Sequence, residues 1–249
     1  MRHFFVAVQV CLLMWVAGCS SSGTTTPPAA GSNTATGFVY DKLEGFGDRQ
    51  FAVFLPNNYN PQNKYPAIVF LHGRFESGSD GRAATSVGIG PEAKKNANNF
   101  PFIVIFPQCN GGGWNSPEHE KIAITALDQA TRKYSIDPNR VILTGLSTGG
   151  YGTWRIGAKY RDRFAALVPM CGYSFYEGVS MLTTTPIWCW HYSTDWAVSS
   201  GASKEMVKRI NASGGNAKLT TPGGLGHDVW TVAYRDPALR EWMLQQRRK

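Results

Sequence analysis

The chain has 249 residues, enough for one large α/β domain or two small ones, and its continuous apolar runs favour one. Its formal charge is +8, but no nucleic-acid-binding motif accompanies this charge, so nucleic acid is not expected as a partner. The basic residues instead predict a solvated surface, or attraction to an anionic polymer or to lipid headgroups.

The first residues predict an export signal. An arginine and a histidine precede an apolar run, residues 4–17, that is short for a membrane span. The run ends in Val16-Ala17-Gly18-Cys19, which resembles the bacterial lipobox, in which the cysteine is acylated and becomes the mature N-terminus. We therefore predict a lipoprotein signal peptide over residues 1–18 and a lipid at Cys19 that anchors the protein to a membrane.

Residues 19–36 predict a flexible tether. After the cysteine nearly every residue is Ser, Thr, Gly, Pro or Ala, and such a composition cannot bury a core. Ser20, rather than aspartate, favours sorting to the outer membrane. We expect an exported lipoprotein of the outer membrane or periplasm of a Gram-negative bacterium, with residues 37–249 forming a single catalytic domain.

Strand-like and helical segments alternate along this domain. The predicted strands are 38–40, 51–55, 67–71, 102–106, 141–143, 164–168, 186–190 and 217–220. The predicted helices are 116–134, 151–160, 203–212 and 237–247. This alternation predicts an α/β fold, a mostly parallel central sheet with helices on both faces and the chemistry at the carboxyl ends of the strands. Two long glycine-rich loops, 74–99 and 108–116, suit the walls of a cleft.

A serine at the apex of a glycine-rich turn is the candidate nucleophile. Gly145-Leu146-Ser147-Thr148-Gly149 matches the Gly-x-Ser-x-Gly elbow, a sharp strand-to-helix turn with no room for side chains two positions either side of the serine. The elbow would hold the Ser147 hydroxyl above the sheet edge. The N–H groups of the following helix would then favour negative charge beside it.

An elbow serine needs a histidine base and a carboxylate that orients it, in the chain order serine, acid, histidine. Asp195 follows the seventh predicted strand, and His227 lies in a glycine-rich loop after the eighth. His191 adjoins a strand end, which makes it a poor candidate for a mobile base. Asp228 is expected to face away or to cap the next turn, and Asp162 to lie on the surface.

Two N–H donors and two aromatic side chains complete the predicted site. The backbone N–H groups of Arg74 and Thr148 are predicted to stabilise the oxyanion of a tetrahedral intermediate. His72 is expected to hold the first of these loops through hydrogen bonds. Phe75 is predicted to contact substrate. Trp114, on a glycine loop, is predicted either to form a wall against an acyl or sugar group or to anchor its own loop.

Three cysteines, Cys109, Cys171 and Cys189, belong to the domain. Export permits a disulfide, but three cysteines cannot all pair internally. Cys171 and Cys189 lie at or near successive predicted strands and fit buried free thiols somewhat better.

Taken together, these motifs resemble the α/β-hydrolase family of serine esterases. Within it they resemble the bacterial dienelactone-hydrolase-like phospholipases and carboxylesterases and the relatives that include feruloyl and acetyl-xylan esterases. The resemblance covers about residues 48–234 and rests on FLHGRFESGSD, FPQCNGGGW, IDPNRVILTGLSTGGYGTW, FAALVPMCG, WHYSTD and GLGHDVWTVAY. It implies Ser147 as nucleophile, Asp195 as acid, His227 as base, and backbone donors at Arg74 and Thr148.

Three departures from the family pattern bear on substrate and mechanism. Arg74 and Phe75 stand where members often have a small residue and glycine, which points to an altered acyl pocket or charge preference. Tyr192 stands where many members have glycine, which allows the acid loop another path. Dienelactone hydrolases proper use a cysteine nucleophile, so the serine of this elbow favours ordinary ester hydrolysis.

We expect a secreted, lipid-anchored serine carboxylesterase that works through an acyl-enzyme without cofactor or metal. Feruloyl or acetyl groups on an acidic polysaccharide are the first substrate prediction, and polyesters or simple aryl esters stay open. One alternative is a serine peptidase of the prolyl-oligopeptidase type, which normally carries an added propeller domain. Another is a catalytically silent, surface-binding lipoprotein that kept the fold.

Overall fold

The computed structural model describes residues 35–248, together with Met1. The strands are β1 (Gly37–Lys42), β2 (Gln50–Leu55), β3 (Tyr65–Leu71), β4 (Ile103–Phe106), β5 (Ile136–Leu146), β6 (Ala166–Met170), β7 (Ile187–Trp190) and β8 (Ala217–Thr220). The helices are α1 (Ile89–Lys95), α2 (Pro117–Lys133), α3 (Thr148–Lys159), α4 (Ser200–Ala212), α5 (Val229–Ala233) and α6 (Pro237–Gln245). Beyond Met1, the predicted signal peptide, the lipidation site Cys19 and the tether up to residue 34 lie outside the described residues.

The eight strands form one sheet in the order β1-β2-β4-β3-β5-β6-β7-β8. β1 pairs antiparallel with β2, and β2 pairs antiparallel with β4. From β4 to β8 every pairing is parallel. The prediction of a mostly parallel sheet is therefore confirmed, and the carboxyl ends of β3 to β8 lie at one edge.

Apolar clusters cover both faces of the sheet. Side chains alternate along each strand, so that on β5 Leu143 enters one cluster and Ile142 the other. The cluster around Leu143 includes buried residues of α2, α3 and α4, and the cluster around Ile142 includes those of α1, α5 and α6. Within the described part of the chain, no helix combines the length and apolar character needed to cross a membrane.

The structure differs from the sequence prediction mainly in short elements. Helix α1 lies inside the segment 74–99 that was predicted as a loop. Its seven residues include a glycine and a proline, too few and too irregular to give a helical pattern. At Gly90 a Cβ would lie 2.0 Å from the Thr85 carbonyl oxygen, so close packing explains that glycine. Cys109, Cys171 and Cys189 are all buried free thiols, as was favoured for the last two.

A buried carboxylate joins α2 to α3, the helix that follows the elbow. Glu120 on α2 has no exposed side-chain surface, and its two oxygens lie 2.5 Å from Arg155 Nε and 2.5 Å from Lys159 Nζ. Both cations belong to α3. Because an enclosed charge needs such partners, these ion pairs fix how α3 packs beside α2.

We predict that Glu120→Gln lowers the free energy of unfolding by about 1–3 kcal/mol, because the amide keeps the shape but leaves two cations without their counter-charge. Urea denaturation measures this change. Glu118→Gln removes the same charge from an exposed position in the same helical turn and serves as control, with an expected change within about 0.5 kcal/mol. Equal losses in both variants would contradict the role given to the buried pairs.

Candidate active site

The elbow is a strained turn between β5 and α3. Ser147 is the residue between them, and its φ of 54° is unusual for a side chain with a Cβ. A Cβ at Gly145 would lie 2.5 Å from the Gly149 carbonyl oxygen, and one at Gly149 would lie 2.0 Å from the Leu71 carbonyl oxygen. The predicted steric need for both glycines is confirmed, because α3 begins in direct contact with the end of β3.

The acid and the histidine meet beside this edge of the sheet. The Asp195 side chain is fully enclosed, and its Oδ2 accepts a hydrogen bond from His227 Nδ1 at 2.6 Å. Its Oδ1 accepts from the backbone N–H groups of Ala197 at 2.8 Å and Val198 at 2.9 Å. Because Nδ1 donates to the carboxylate, His227 Nε2 is the nitrogen left to accept a proton.

Asp195 stays ionised although it is enclosed. Burial by itself raises the pKa of this carboxyl, but the Val198 N–H, the His227 imidazole and the Ala197 N–H more than offset that effect. The net pKa lies below the usual range of an aspartate. A permanent negative charge therefore faces the His227 ring, as the orientation of a base requires.

Cys171 connects the elbow with the acid and the histidine. Ser147 N–H donates to the Met170 carbonyl at 2.9 Å, and Cys171 follows Met170 at the end of β6. The Cys171 sulfur, an Asp195 oxygen and a His227 nitrogen all lie within 4.8 Å of one another. Burial raises the pKa of Cys171 well above its usual value, although the Ser147 N–H opposes this, so the sulfur stays a neutral thiol.

These three side chains are the one group of potential metal ligands that comes close together in the described residues. A metal ion would have to displace the Cys171 proton and break the 2.6 Å bond between His227 and Asp195. The bond between His227 and Asp195 thus holds a proton between nitrogen and oxygen.

The loop that carries the acid is bonded to the loop that carries the histidine. Thr194 Oγ1 donates to the Gly224 carbonyl at 2.6 Å, and Thr194 also pairs with Leu225 in an isolated β-bridge. The Tyr192 ring packs on Gly224, where a Cβ would lie 2.8 Å from it. Tyr192 therefore does not keep the acid loop from bringing Asp195 to the histidine.

Both predicted oxyanion donors begin a helical segment at the same sheet edge. Thr148 is the first residue of α3, and Arg74 is the first of a short 3-10 helix, Arg74–Glu76, after β3. The first N–H groups of a helical segment have no partner within it, so both are available to an anionic oxygen.

His72 is a structural support of the Arg74 loop, as predicted. It is fully buried, its Nδ1 donates to the Gly73 carbonyl at 2.6 Å, and its Nε2 accepts from the Cys109 N–H at 3.1 Å. Burial lowers the pKa of His72 from 6.5 to about 4, so the ring is neutral near pH 7. The ring joins the ends of β3 and β4.

Trp114, predicted either as a substrate wall or as an anchor of its own loop, lies in the core. Its ring is fully buried and packs on Gly152 of α3, where a Cβ would lie 2.4 Å from the tryptophan. The indole N–H donates to the His72 carbonyl at 3.0 Å. Trp114 thus anchors the glycine loop to the core, the other reading that the sequence left open. Phe75, in contrast, is 95% exposed, so it is free to contact a ligand.

A small pocket opens beside Thr148. Its volume is about 240 Å³ and its lining residues are Gly112, Gly113, Trp114, Asn115, Thr148, Tyr151 and Tyr173. Neither Tyr151 nor Tyr173 was predicted to line a pocket, although Tyr151 follows Ser147 by four residues and Tyr173 follows β6. A larger pocket, about 810 Å³, lies at the opposite sheet edge near Phe164 and Asn216, so volume alone does not identify the reactive site.

Three residues that were not assigned to the catalytic triad, His191, Asp162 and Asp228, lie in different environments. His191 is fully buried, which agrees with setting it aside as the mobile base. Asp162 is exposed, as predicted. Asp228 precedes α5 but makes no capping hydrogen bond through its side chain.

We predict that His72 makes the fold less stable as the pH falls. Its pKa is lower in the folded chain than in the unfolded chain, so between pH 6.5 and about 4 only the unfolded state takes up this proton. The free energy of unfolding should therefore fall by about 3 kcal/mol across this window on account of His72 alone. Denaturant titrations at several pH values measure the loss, and His72→Gln should show a correspondingly shallower decline. Parallel pH dependences in the two proteins would contradict the assignment.

Comparisons with known proteins agree with this geometry. Residues 46–224 match the family model described as putative esterase. A poly(3-hydroxyalkanoate) depolymerase C of Paucimonas lemoignei is 25% identical over 227 residues, 72% of this chain and 53% of the depolymerase. A bifunctional acetylxylan esterase/xylanase of Neocallimastix patriciarum is 26% identical over 160 residues, 63% of this chain and 22% of that protein.

Among solved structures, a thermostable esterase superimposes with a TM-score of 0.73 at 28% identity, covering 85% of this chain and 63% of the esterase. The chain thus spans about half the length of the depolymerase and less than two thirds of this esterase. The family match covers well over half of the chain and coincides with the elbow, the parallel sheet and the acid loop. The chain therefore belongs to the putative esterase family, and its body has the α/β-hydrolase fold.

Proposed function

We propose that this protein is a serine carboxylic ester hydrolase in which Ser147 is the nucleophile, His227 the base and Asp195 the acid. One observation carries the proposal. An enclosed, ionised Asp195 holds His227 Nδ1 at 2.6 Å, and the Cys171 sulfur, within 4.8 Å of both side chains, also meets the N–H of Ser147 at the strained elbow. This arrangement leaves His227 Nε2 to accept the proton of the serine hydroxyl.

In the proposed reaction, Ser147 Oγ attacks the ester carbonyl carbon while His227 Nε2 takes the hydroxyl proton. The N–H groups of Thr148 and Arg74 stabilise the resulting oxyanion. His227 then gives its proton to the leaving alcohol as the C–O bond breaks, which leaves an acyl-enzyme. A water molecule, deprotonated by the same nitrogen, releases the acid. Asp195 remains ionised and stabilises the imidazolium at each step.

The pocket beside Thr148 favours a substrate with an aromatic acyl group. At about 240 Å³ it is smaller than typical pockets for drug-sized ligands, and it suits a single-ring acyl chain. Tyr151 and Tyr173 line it, and Asn115 adds a polar group able to bind a phenolic or methoxy oxygen. We therefore propose feruloyl esters on polysaccharide as the first substrate class, with acetyl esters as the next. The charge of +8 favours an acidic polysaccharide.

A hydrophobic polyester is a second candidate substrate, and a specific observation favours it. Phe75, Trp196 and Leu225 are 95%, 80% and 85% exposed, and they lie on loops after β3, β7 and β8 at the edge that carries Ser147. Large apolar side chains exposed at the same edge are typical of contact with an apolar ligand surface. The similarity to the depolymerase agrees with this candidate.

We predict that Ser147→Ala lowers the hydrolysis of methyl ferulate and p-nitrophenyl acetate by at least about 10³-fold, because no other group can form the acyl-enzyme. The body from Thr36 onward is the protein to assay. Ser213→Ala, at an exposed serine after α4, serves as control and should keep its activity. Activity that survives Ser147→Ala would contradict the assignment of the nucleophile.

The polymer assay then separates the two substrate classes. Release of ferulate or acetate from feruloylated or acetylated xylan is compared with release of hydroxyacids from a polyester film. Rapid release from xylan supports the polysaccharide substrate, whereas release from the film alone supports the polyester. Turnover of short esters with neither polymer as substrate would contradict both.

We also propose that the protein is exported and held at a membrane by a lipid on Cys19. The support is the sequence Val16-Ala17-Gly18-Cys19 after an apolar run, and these residues lie outside the described part of the structure. In a Gram-negative host, Cys19→Ala should abolish incorporation of labelled palmitate. Equal labelling of the variant and the wild type would contradict the anchor.

A further inference from the structure

His191 is a fully buried histidine that the proposed reaction does not use. It follows β7 directly, and its backbone N–H donates to the Thr220 carbonyl of β8 at 3.1 Å. Its side chain has polar contacts at both ring nitrogens. Nδ1 lies 2.8 Å from Ser203 Oγ, and Nε2 lies 2.9 Å from the Val198 carbonyl oxygen.

These contacts fix the tautomer of the ring. A carbonyl oxygen can only accept, so His191 Nε2 carries the hydrogen and donates it to Val198. Nδ1 then accepts the hydroxyl hydrogen of Ser203. Burial lowers the pKa of His191, and the titratable groups that act on it are Asp195 and His227. The ring is therefore neutral and has a single N–H, which points to the acid loop.

The same N–H edge reaches the acid. His191 Nε2 lies 3.2 Å from Asp195 Oδ2, the oxygen that also accepts from His227 Nδ1. The other oxygen, Oδ1, accepts from the N–H of Val198, whose carbonyl is held by His191. Both the N–H and the carbonyl of Val198 are thus hydrogen-bonded, and both oxygens of the Asp195 carboxylate have fixed neighbours.

We propose that His191 is a positioning residue for Asp195, a role that rests on the proposed esterase function. It holds the loop 195–198 through its hydrogen bond to Val198, and the polar N–H of its neutral ring lies beside Oδ2. Asp195 therefore stays aligned with the His227 ring. A carboxylate free to rotate would lose the short bond to His227, and small displacements in such a site lower the rate strongly. His191 touches no reacting atom and acts only through Asp195.

The test compares two substitutions of His191. His191→Leu removes the donor and puts an apolar side chain in the same buried position, and it should lower kcat for methyl ferulate about 10- to 100-fold with KM within about 3-fold. His191→Gln offers an amide N–H near the position of Nε2, and its kcat should be at least about 5-fold higher than that of His191→Leu. A Gln variant as slow as the Leu variant would contradict a donor role.

Loss of stability needs its own control, because His191 is buried. Asn211→Ala removes two hydrogen bonds to Ala217 that join α4 to β8, at a distance along the helix from Ser203. It should lower the melting temperature but keep kcat within about 2-fold. If both variants lost kcat in proportion to their loss of melting temperature, the positioning role would be wrong.

A double-mutant cycle shows whether His191 acts through the acid. In the Asp195→Asn background no carboxylate remains to be positioned, so His191→Leu should lower kcat by less than about 3-fold there. The same 10- to 100-fold loss in both backgrounds would show that the two residues act independently and would overturn the proposal.

Proton NMR gives a measurement that does not need turnover. A 2.6 Å bond such as that from His227 Nδ1–H to Asp195 should give a strongly downfield resonance. We expect this resonance in the wild type and in Ser147→Ala, and its loss or broadening in His191→Leu. If the wild type hydrolysed no ester but the resonance still depended on His191, the function would fail and the positioning would stand. An unchanged resonance in His191→Leu would overturn the positioning itself.

Discussion

A carboxylate that is removed from water must be compensated, and the arrangement around Asp195 follows from this requirement. Two backbone N–H groups and two imidazole rings surround its oxygens, which keeps the charge in place without a cation. As a result, the His227 ring can bind the carboxylate in only one orientation. The geometry beside Ser147 thus depends on a loop, residues 195–198, whose peptide groups face inwards.

The sheet supplies the frame on which this loop is held. Parallel strands end at one edge, so the residues that follow β3, β5, β6, β7 and β8 come together although they are far apart in the sequence. Close contacts then fix the positions of these loops relative to one another. Gly149 lies against the end of β3, Gly152 against Trp114, and Gly224 against Tyr192. A side chain at any of these glycines would force two loops apart.

Neutral buried groups complete the site. His72 and His191 are both held as uncharged rings by burial, and the Cys171 thiol keeps its proton for the same reason. Because these groups carry no charge, Asp195 is the charged partner that His227 faces at close range. A charged ring at either buried histidine would alter the field in which the proton moves from serine to His227.

Much of the fold could be predicted because its signals are local. The parallel strands are continuous apolar runs, the cap of α2 is a serine before a proline, and the elbow is a five-residue pattern. Short elements such as α1 gave no periodic signal, and β5 begins earlier than its apolar run because Ile136 pairs with Tyr65 of β3. That pairing depends on a distant strand, which local sequence does not contain.

The candidate site divides in the same way. The elbow serine, the order of acid and histidine, and the glycines of the turn could all be predicted, because each follows from residue type and spacing along the chain. The burial of Trp114, the pocket lined by Tyr151 and Tyr173, and the contact between His191 and Asp195 are visible only in the folded chain. Burial and side-chain contact depend on how loops from separate strands pack together, and that packing is a property of the whole fold.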